Sequence, residues 1–384
     1  MNKIFKIYSL IIFGIFLLLS TAAATEEKIK IGLLVPITGD NKKLGQQIVK
    51  SVQMALKDID TDKIEIHLKD TNSNPDTATK SALELKEIGV KIVIGPVFYN
   101  CLAPLEKIQD ITFLSFTNQT IELPNNVIST GVNATSQLNA IKKFIEDNEI
   151  KKTILLTPNL NYKNEIKKAV KQSKIKISKQ YIYETEPTKL TAQIEKITNY
   201  KIRKQNLEDE IRRVENSDLL DKEKLLKKLE KKYTIGSVRF DSVIISDFDE
   251  SLKSVITSFL YTDVSPKNKY IIAFNQWFDQ SLLNEKNIQP IYYPSINKKN
   301  LDNFSSKFEK EFNQTPNYLS LLSYDLVGLV YYLSVKNEFI NNDRLFKNKN
   351  SFKGKIGIFD IENYKINHRL NFYKIENGNF KKIF

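Results

Sequence analysis

The sequence predicts an α/β protein of two doubly wound parallel-sheet lobes, and three observations carry that prediction. Near-continuous apolar runs, such as residues 28–37 (KIKIGLLVPI), suit strands buried on both faces, as parallel sheets require. These runs alternate with segments whose apolar residues recur at helical spacing, the rhythm of βαβ units. The chain has 384 residues, which at about 150 residues per domain leaves room for two such sheets.

Each element follows from its own pattern. After the first strand, Leu44, Ile48, Val52, Leu56 and Ile59 line one face of a helix over residues 44–60. Residues 63–70 (KIEIHLKD) alternate Ile64, Ile66 and Leu68 and predict a half-exposed strand. Asn72 to Pro75 is turn chemistry, and a helix carrying Ala78, Ala82, Leu85 and Ile88 follows. A buried strand, VKIVIGP at 90–96, ends at Gly95-Pro96. The rhythm then predicts a helix at 102–109, strand 111–117, helix 135–148, strand 152–157, helix 163–173 and strand 175–183. It resumes with strand 241–247, helix 250–260, strand 269–274, and helices near 300–313 and 317–336. In sheets of this class ligands sit beyond the carboxyl ends of the strands.

Two stretches depart from the rhythm. Residues 350–384 read as β-hairpins, one of them turning at Glu376-Asn377-Gly378. Residues 199–234 are dense in charge and read as a helical hairpin. Ile202, Leu207, Ile211 and Val214 line its first helix, Leu219, Leu225, Leu226 and Leu229 its second, with Ser217-Asp218 at the turn. It is either a solvated excursion on its own lobe or a docking arm for a partner. Both charge signs are interleaved, which argues against nucleic acid as that partner.

Composition narrows the chemistry. Apolar residues make up 41% and charged residues 27%, so a core forms. The net charge is +13, but lysine is spread along the whole chain and reads as a general bias rather than a nucleic-acid patch. The single cysteine, Cys101, excludes an intrachain disulfide and a cysteine-cluster metal site; two histidines, His67 and His368, make no multi-histidine zinc site. Both histidines are expected as surface strand residues rather than bases. No nucleophile elbow, P-loop, H-E-x-x-H or dinucleotide fingerprint appears, so no catalytic residue, metal or cofactor is expected. Residues 1–24 have a basic start (Lys3, Lys6), an apolar run from Ile7 to Leu19 and small residues at Ala22-Ala23-Ala24. This layout predicts a cleavable signal peptide and a periplasmic protein, with no further stretch apolar enough to span a membrane.

Four ordered segments carry a resemblance: residues 30–59, 70–98, 113–132 and 315–333. Together they resemble the type I periplasmic solute-binding proteins, such as the Leu/Ile/Val receptors of ABC importers. The 199–234 insertion followed by FDSVIISD (240–247), with AFNQWFD (273–279) and residues 354–380, is similar to the penicillin-binding-protein-activator-like branch. The resemblance implies two lobes joined by three crossings, near 129–134, 288–296 and 336–350. Lobe 1 would combine 25–132 with 297–340; lobe 2 would combine 133–296 with 341–384 and carry the hairpin.

The resemblance further implies a small amino-acid-like ligand held in the cleft for an ABC permease. Its other branch implies a non-enzymatic regulator of peptidoglycan synthesis that contacts a cell-wall synthase. Position by position, Leu44 stands where an aromatic wall residue is common, and Phe98 and Tyr99 where small hydroxyl residues are usual. Thr117 and Asn118 match a hydroxyl-bearing loop. Tyr162 matches an aromatic of the second lobe, and Asp247 would meet a ligand ammonium. Trp277 is expected to serve the structure of its own loop.

Overall fold

The strand β1 (Ile29–Val35) explains its own sequence: Ile31, Leu33, Leu34 and Val35 are all at most 1% exposed, so both faces demand apolar residues. In this computed structural model, which describes residues 28–337 and 343–384, β1 lies inside a five-stranded sheet. The expected signal peptide, residues 1–24, lies outside the described residues. β2 (Ile64–Asp70) pairs with β1 at the sheet edge, which is why it alternates. β3 (Ile92–Ile94), β4 (Thr112–Ser115) and β5 (Val127–Ser129) complete the parallel order β2-β1-β3-β4-β5. Helix α1 (Lys42–Ile59) buries Ile48 and Val52, and α2 (Pro75–Glu87) buries Ala78, Ala82 and Leu85. Asn74 caps α2, its Oδ1 accepting from the N–H groups of Asp76 at 2.9 Å and Thr77 at 3.1 Å.

The helix expected at 102–109 is instead a pair of 3₁₀ turns, Tyr99–Cys101 and Ala103–Lys107. Pro104 lacks the N–H that an α-helix would use, while Leu102, Leu105 and Ile108 still reach a small core beneath α2.

The chain passes into the second lobe after β5, where α3 (Ala134–Asp147) starts at its cap Asn133. There β6 (Thr153–Pro158), β7 (Lys179–Tyr183), β8 (Ser242–Ile245), β9 (Tyr270–Ala273) and β10 (Ile291–Ser295) run parallel. They are joined by α4 (Lys163–Ser173), α5 (Pro187–Thr198), α6 (Tyr200–Glu215), α7 (Lys222–Leu229), α8 (Asp249–Tyr261) and the short α9 (Ser281–Asn284). Helices α6 and α7 are the hairpin, with a core of their own from Leu207, Val214 and Leu229. Arg203 roots it. This 6%-exposed side chain donates to the Gly236, Thr262 and Asp263 carbonyls and to Thr234 Oγ1 over 2.7–3.3 Å.

After β10 the chain returns to the first lobe as α10 (Lys298–Phe312) and α11 (Tyr318–Lys336). Gln47 of α1 donates to the Thr315 carbonyl at 2.8 Å, and Ser51 to the Ser320 carbonyl. Helix α11 corrects one expectation, because its 19 residues are long and apolar enough to cross a membrane; 61% of the apolar window is nevertheless buried in protein, as in a core helix.

Residues 350–384 form hairpins: an antiparallel sheet of β11 (Asn350–Lys353), β12 (Ile358–Glu362) and β13 (Lys365–Arg369), then β14 (Asn371–Glu376) and β15 (Asn379–Lys382). Asn377 and Gly378, both at positive φ, make the β14–β15 turn. β14 joins the second sheet antiparallel to β10, giving the order β15-β14-β10-β9-β8-β6-β7. The β11–β13 sheet sits against α11, where the Asp325 carboxylate accepts the Lys355 and Ile356 N–H groups at 2.8 and 2.7 Å. It also touches the second lobe, where the His368 N–H donates to Ser136 Oγ of α3 at 2.8 Å, and the chain then passes through Leu370 into β14.

Candidate ligand-binding cleft

The segments after the carboxyl ends of the strands carry the candidate residues. After β1 the chain turns tightly over the start of α1: a Cβ on Gly45 would lie 1.8 Å from the Pro36 carbonyl oxygen, so only glycine fits. Asp70, ending β2, holds this turn. Its Oδ1 accepts the Ile37 and Asn72 N–H groups at 2.9 and 2.8 Å, and its Oδ2 accepts the Thr38 hydroxyl. Partial burial alone would raise its pKa, but these hydrogen bonds outweigh that and hold it below the ordinary carboxylate value.

Leu44 is half-buried against the main core, and Phe98 is half-buried. Tyr99 is 36% exposed and donates to the Glu122 carbonyl at 3.3 Å. Cys101, in the same segment, is fully buried, and that burial pushes its thiol up to about 11; it is not a nucleophile at neutral pH. Thr117 is buried: its Oγ1 accepts the Gln119 N–H at 3.2 Å and its carbonyl accepts Ser129 Oγ at 2.7 Å. Asn118 beside it is exposed.

In the second lobe, Tyr162 begins α4 and donates to the Ser246 carbonyl at 3.2 Å. Asp247, expected to meet an ammonium group, is 4% exposed and already engaged. It accepts from Tyr183 Oη, from Ser251 Oγ at 2.6 Å and from the Phe248 N–H at 2.9 Å. Burial and the Asp247 carboxylate together push the Tyr162 and Tyr183 phenols up, so both stay protonated donors. Tyr162 and Asp247 are thus brought together, whereas among the described residues no hydrogen bond or ring contact links Leu44, Phe98 or Asn118 to the second lobe.

Two inter-lobe contacts fall on other residues. Glu165 of α4, 5% exposed, accepts Thr120 N–H at 2.9 Å, Thr120 Oγ1 at 2.6 Å and Ile121 N–H at 3.1 Å, all from the first lobe. Lys168, one turn on, donates to the Thr120 carbonyl at 2.7 Å. At the other contact, Trp277 packs on Tyr318 with ring centroids 4.8 Å apart, and Tyr318 Oη donates to the Trp277 carbonyl. Trp277 and Phe278 both have positive φ (48° and 58°), an uncommon conformation for aromatic residues. Asn275 Oδ1 supports the turn by accepting Trp277 N–H at 2.9 Å and Ser295 Oγ at 2.8 Å. Asn275 Nδ2, in the turn after β9, and Tyr293 Oη, in the neighbouring strand β10, are buried without a partner.

His368 also differs from expectation. It is 3% exposed, because β13 docks on the first crossing rather than facing solvent: Asn133 Nδ2 donates to the Ile366 carbonyl at 3.0 Å, and His368 Nε2 lies 2.8 Å from the Thr130 carbonyl. A cavity of about 450 Å³ lies beside this crossing, with Asn133, Thr135, Lys168, Tyr364 and Lys365 in its wall. Among the described residues no cluster of acidic, histidine or cysteine side chains could hold a metal ion.

Known proteins agree with this architecture. Residues 28–202 match the family described as periplasmic binding protein. The branched-chain amino acid substrate-binding protein LivJ of Streptococcus pneumoniae, solved with isoleucine, is 19% identical at a TM-score of 0.52, over 92% of this chain and 98% of that one. The C-domain of LpoA from Haemophilus influenzae, a regulator of PBP1A, is 14% identical at a TM-score of 0.61, over 92% and 100%. A putative branched-chain amino acid ABC transporter protein from Rhodospirillum rubrum is 11% identical at a TM-score of 0.70, over 93% and 100%. No curated protein sequence matches the chain.

Proposed function

We propose, from its fold of the type I periplasmic binding proteins and the family match of residues 28–202, that the chain is an exported solute-binding protein. It captures a small amino-acid-like solute between its lobes, without covalent chemistry, and presents it to an ABC permease.

One observation carries this reading beyond the fold. Asn275 Nδ2, just past the carboxyl end of β9, and Tyr293 Oη, midway along β10, are buried and unpartnered near the turn that Trp277 presses onto Tyr318. An orphaned buried polar group costs about 1–3 kcal/mol, a cost that a bound polar solute would offset. The proposed solute contacts are Leu44, Phe98, Tyr99, Thr117 and Asn118 from the first lobe and Tyr162 from the second. Asp247 acts here by fixing Tyr183 and the Phe248 backbone rather than by direct contact.

The engagement of Asp247 supports a second reading, because it withdraws the acid that would hold an α-ammonium group. With the likeness to the LpoA C-domain, it favours a regulator of a cell-wall synthase that uses the fold for protein contact. A thermal-shift screen of free amino acids, amides and short peptides separates the two. A solute at 100 times its dissociation constant adds about 2.7 kcal/mol of stability. A shift that Asn275→Ala abolishes supports the receptor. Silence across the panel, with binding of a purified synthase, overturns it in favour of the regulator.

A further inference from the structure

The α6–α7 hairpin carries two features that its own fold does not use. The first is its tip, where Leu220 is fully exposed and Leu219 is 43% exposed. The second is one face of α7. Leu225, Leu226 and Leu229 turn toward α6 and the hairpin core. At about 100° per residue, Lys224, Lys227 and Lys228 then fall on the opposite face, with Lys231 following just beyond the helix end. Residues 222–232 hold six lysines against two glutamates.

The two helices treat charge differently. On α6, Arg212 pairs with Asp209 and Arg213 with Glu210, so its charges cancel locally. Among the described residues, Lys224, Lys227, Lys228 and Lys231 have no ion-pair partner, which leaves an uncompensated basic face next to a tip where Leu219 and Leu220 stand exposed between Asp218 and Asp221. Tyr233, 77% exposed just after that face, is an amphipathic ring of the kind that settles at the boundary between headgroups and acyl chains.

We propose that this hairpin docks the protein on an anionic phospholipid surface. Leu219 and Leu220 enter the headgroup–acyl boundary, and the α7 lysines lie against the lipid phosphates. An anionic bilayer satisfies both features at once, whereas an acidic protein surface would use the lysines and leave the leucines in water. The proposal stands apart from the choice of solute or synthase, since it concerns a surface remote in sequence from the cleft loops.

The test is co-sedimentation of the full chain with vesicles of phosphatidylcholine alone or with three parts in ten phosphatidylglycerol, at low and high salt. Binding is expected on the anionic vesicles only and is lost at high salt. Leu219→Ser/Leu220→Ser and Lys224→Glu/Lys227→Glu/Lys228→Glu should each lower the bound fraction at least about fivefold. These side chains are exposed, and circular dichroism checks that the variants fold. Lys80→Glu/Lys91→Glu/Lys107→Glu makes the same charge change on the first lobe and should leave binding intact. The proposal is overturned if the anionic vesicles bind nothing, if the first-lobe variant loses as much as the α7 variant, or if the leucine variant binds like the unmodified chain. That last result would reduce the effect to charge alone, as an acidic protein would also elicit.

Discussion

The consequence of burying a titratable group can be read at His368. Burial withholds hydration from the imidazolium and pulls the pKa down to about 4, against the opposing pull of the Thr130 and Gly131 backbone and of Asp360. In the unfolded chain the ring protonates near pH 6.5. Between about pH 6.5 and 4 the unfolded state therefore binds the extra proton, so this contribution to stability is full above the window and is lost as pH falls through it. Asp325, raised to about 7 by its burial, works with the opposite slope over much of the same range. The useful measurement is accordingly a difference, taken from urea midpoints of the wild type and His368→Gln. The advantage of the wild type over the variant should shrink by up to roughly 3 kcal/mol on acidification across the window; parallel curves would refute the assignment. Ile366, His368 and Leu370 share a face, and the sequence makes that alternation plain. What local pattern cannot convey is that this face meets the first crossing, more than 230 residues earlier in the chain. Glu165 escaped for the same reason: its partners Thr120 and Ile121 lie 45 and 44 residues away and belong to no motif.

Elements were legible where one period dominates. The continuous run of β1, the alternation of edge strand β2, and the turn at Asn377-Gly378 each came out as their patterns said. So did the helical hairpin, whose leucines at helical spacing found one another in a separate small core. Reading was poorer where tertiary contacts override period, as with the 3₁₀ turns around Pro104; α11 was read as a helix, and only its apolar length, which answers to burial against α1, went unread. Nor did the charge density of residues 199–234 single out Arg203. Its guanidinium is the root of the hairpin, satisfying three backbone carbonyls and the Thr234 hydroxyl. Arg203→Ala leaves those acceptors without donors while sparing the hairpin core, at a cost of about 1–3 kcal/mol for each buried group left unpaired. The lost protection should be regional. Amide exchange over residues 200–229 should accelerate while that of β8 and β9 stays at the wild-type rate. Acceleration spread evenly over both sheets would show that the arginine supports the lobe and not the hairpin.

At the scale of the whole molecule, the two lobes are held by a clasp on each of two fronts, Glu165 on the Thr120 loop and Tyr318 on the Trp277 turn. Under the proposed capture of a solute between the lobes, both contacts would form in the closed state alone, the condition for shifting a two-state equilibrium. A hydrogen bond to a charged acceptor contributes about 1.5–3 kcal/mol, and about 1.4 kcal/mol is a tenfold change in a ratio. Losing even one of the three bonds to Glu165 thus shifts the closed-to-open ratio by about an order of magnitude or more. Glu165→Ala with Tyr318→Phe removes the carboxylate and the hydroxyl but leaves both sheets and both crossings beside them unaltered. Small-angle scattering of this double variant should give a larger radius of gyration than the wild type, with each single variant between them. Unfolding of the lobe cores should be little affected, because an opened lobe returns the freed Thr120 and Ile121 N–H groups to water rather than stranding them in protein. If scattering from the double variant superimposes on that of the wild type, the clasps are incidental to closure. The angle between the lobes would then be set by the crossings themselves, with Asn133 and His368 at their centre.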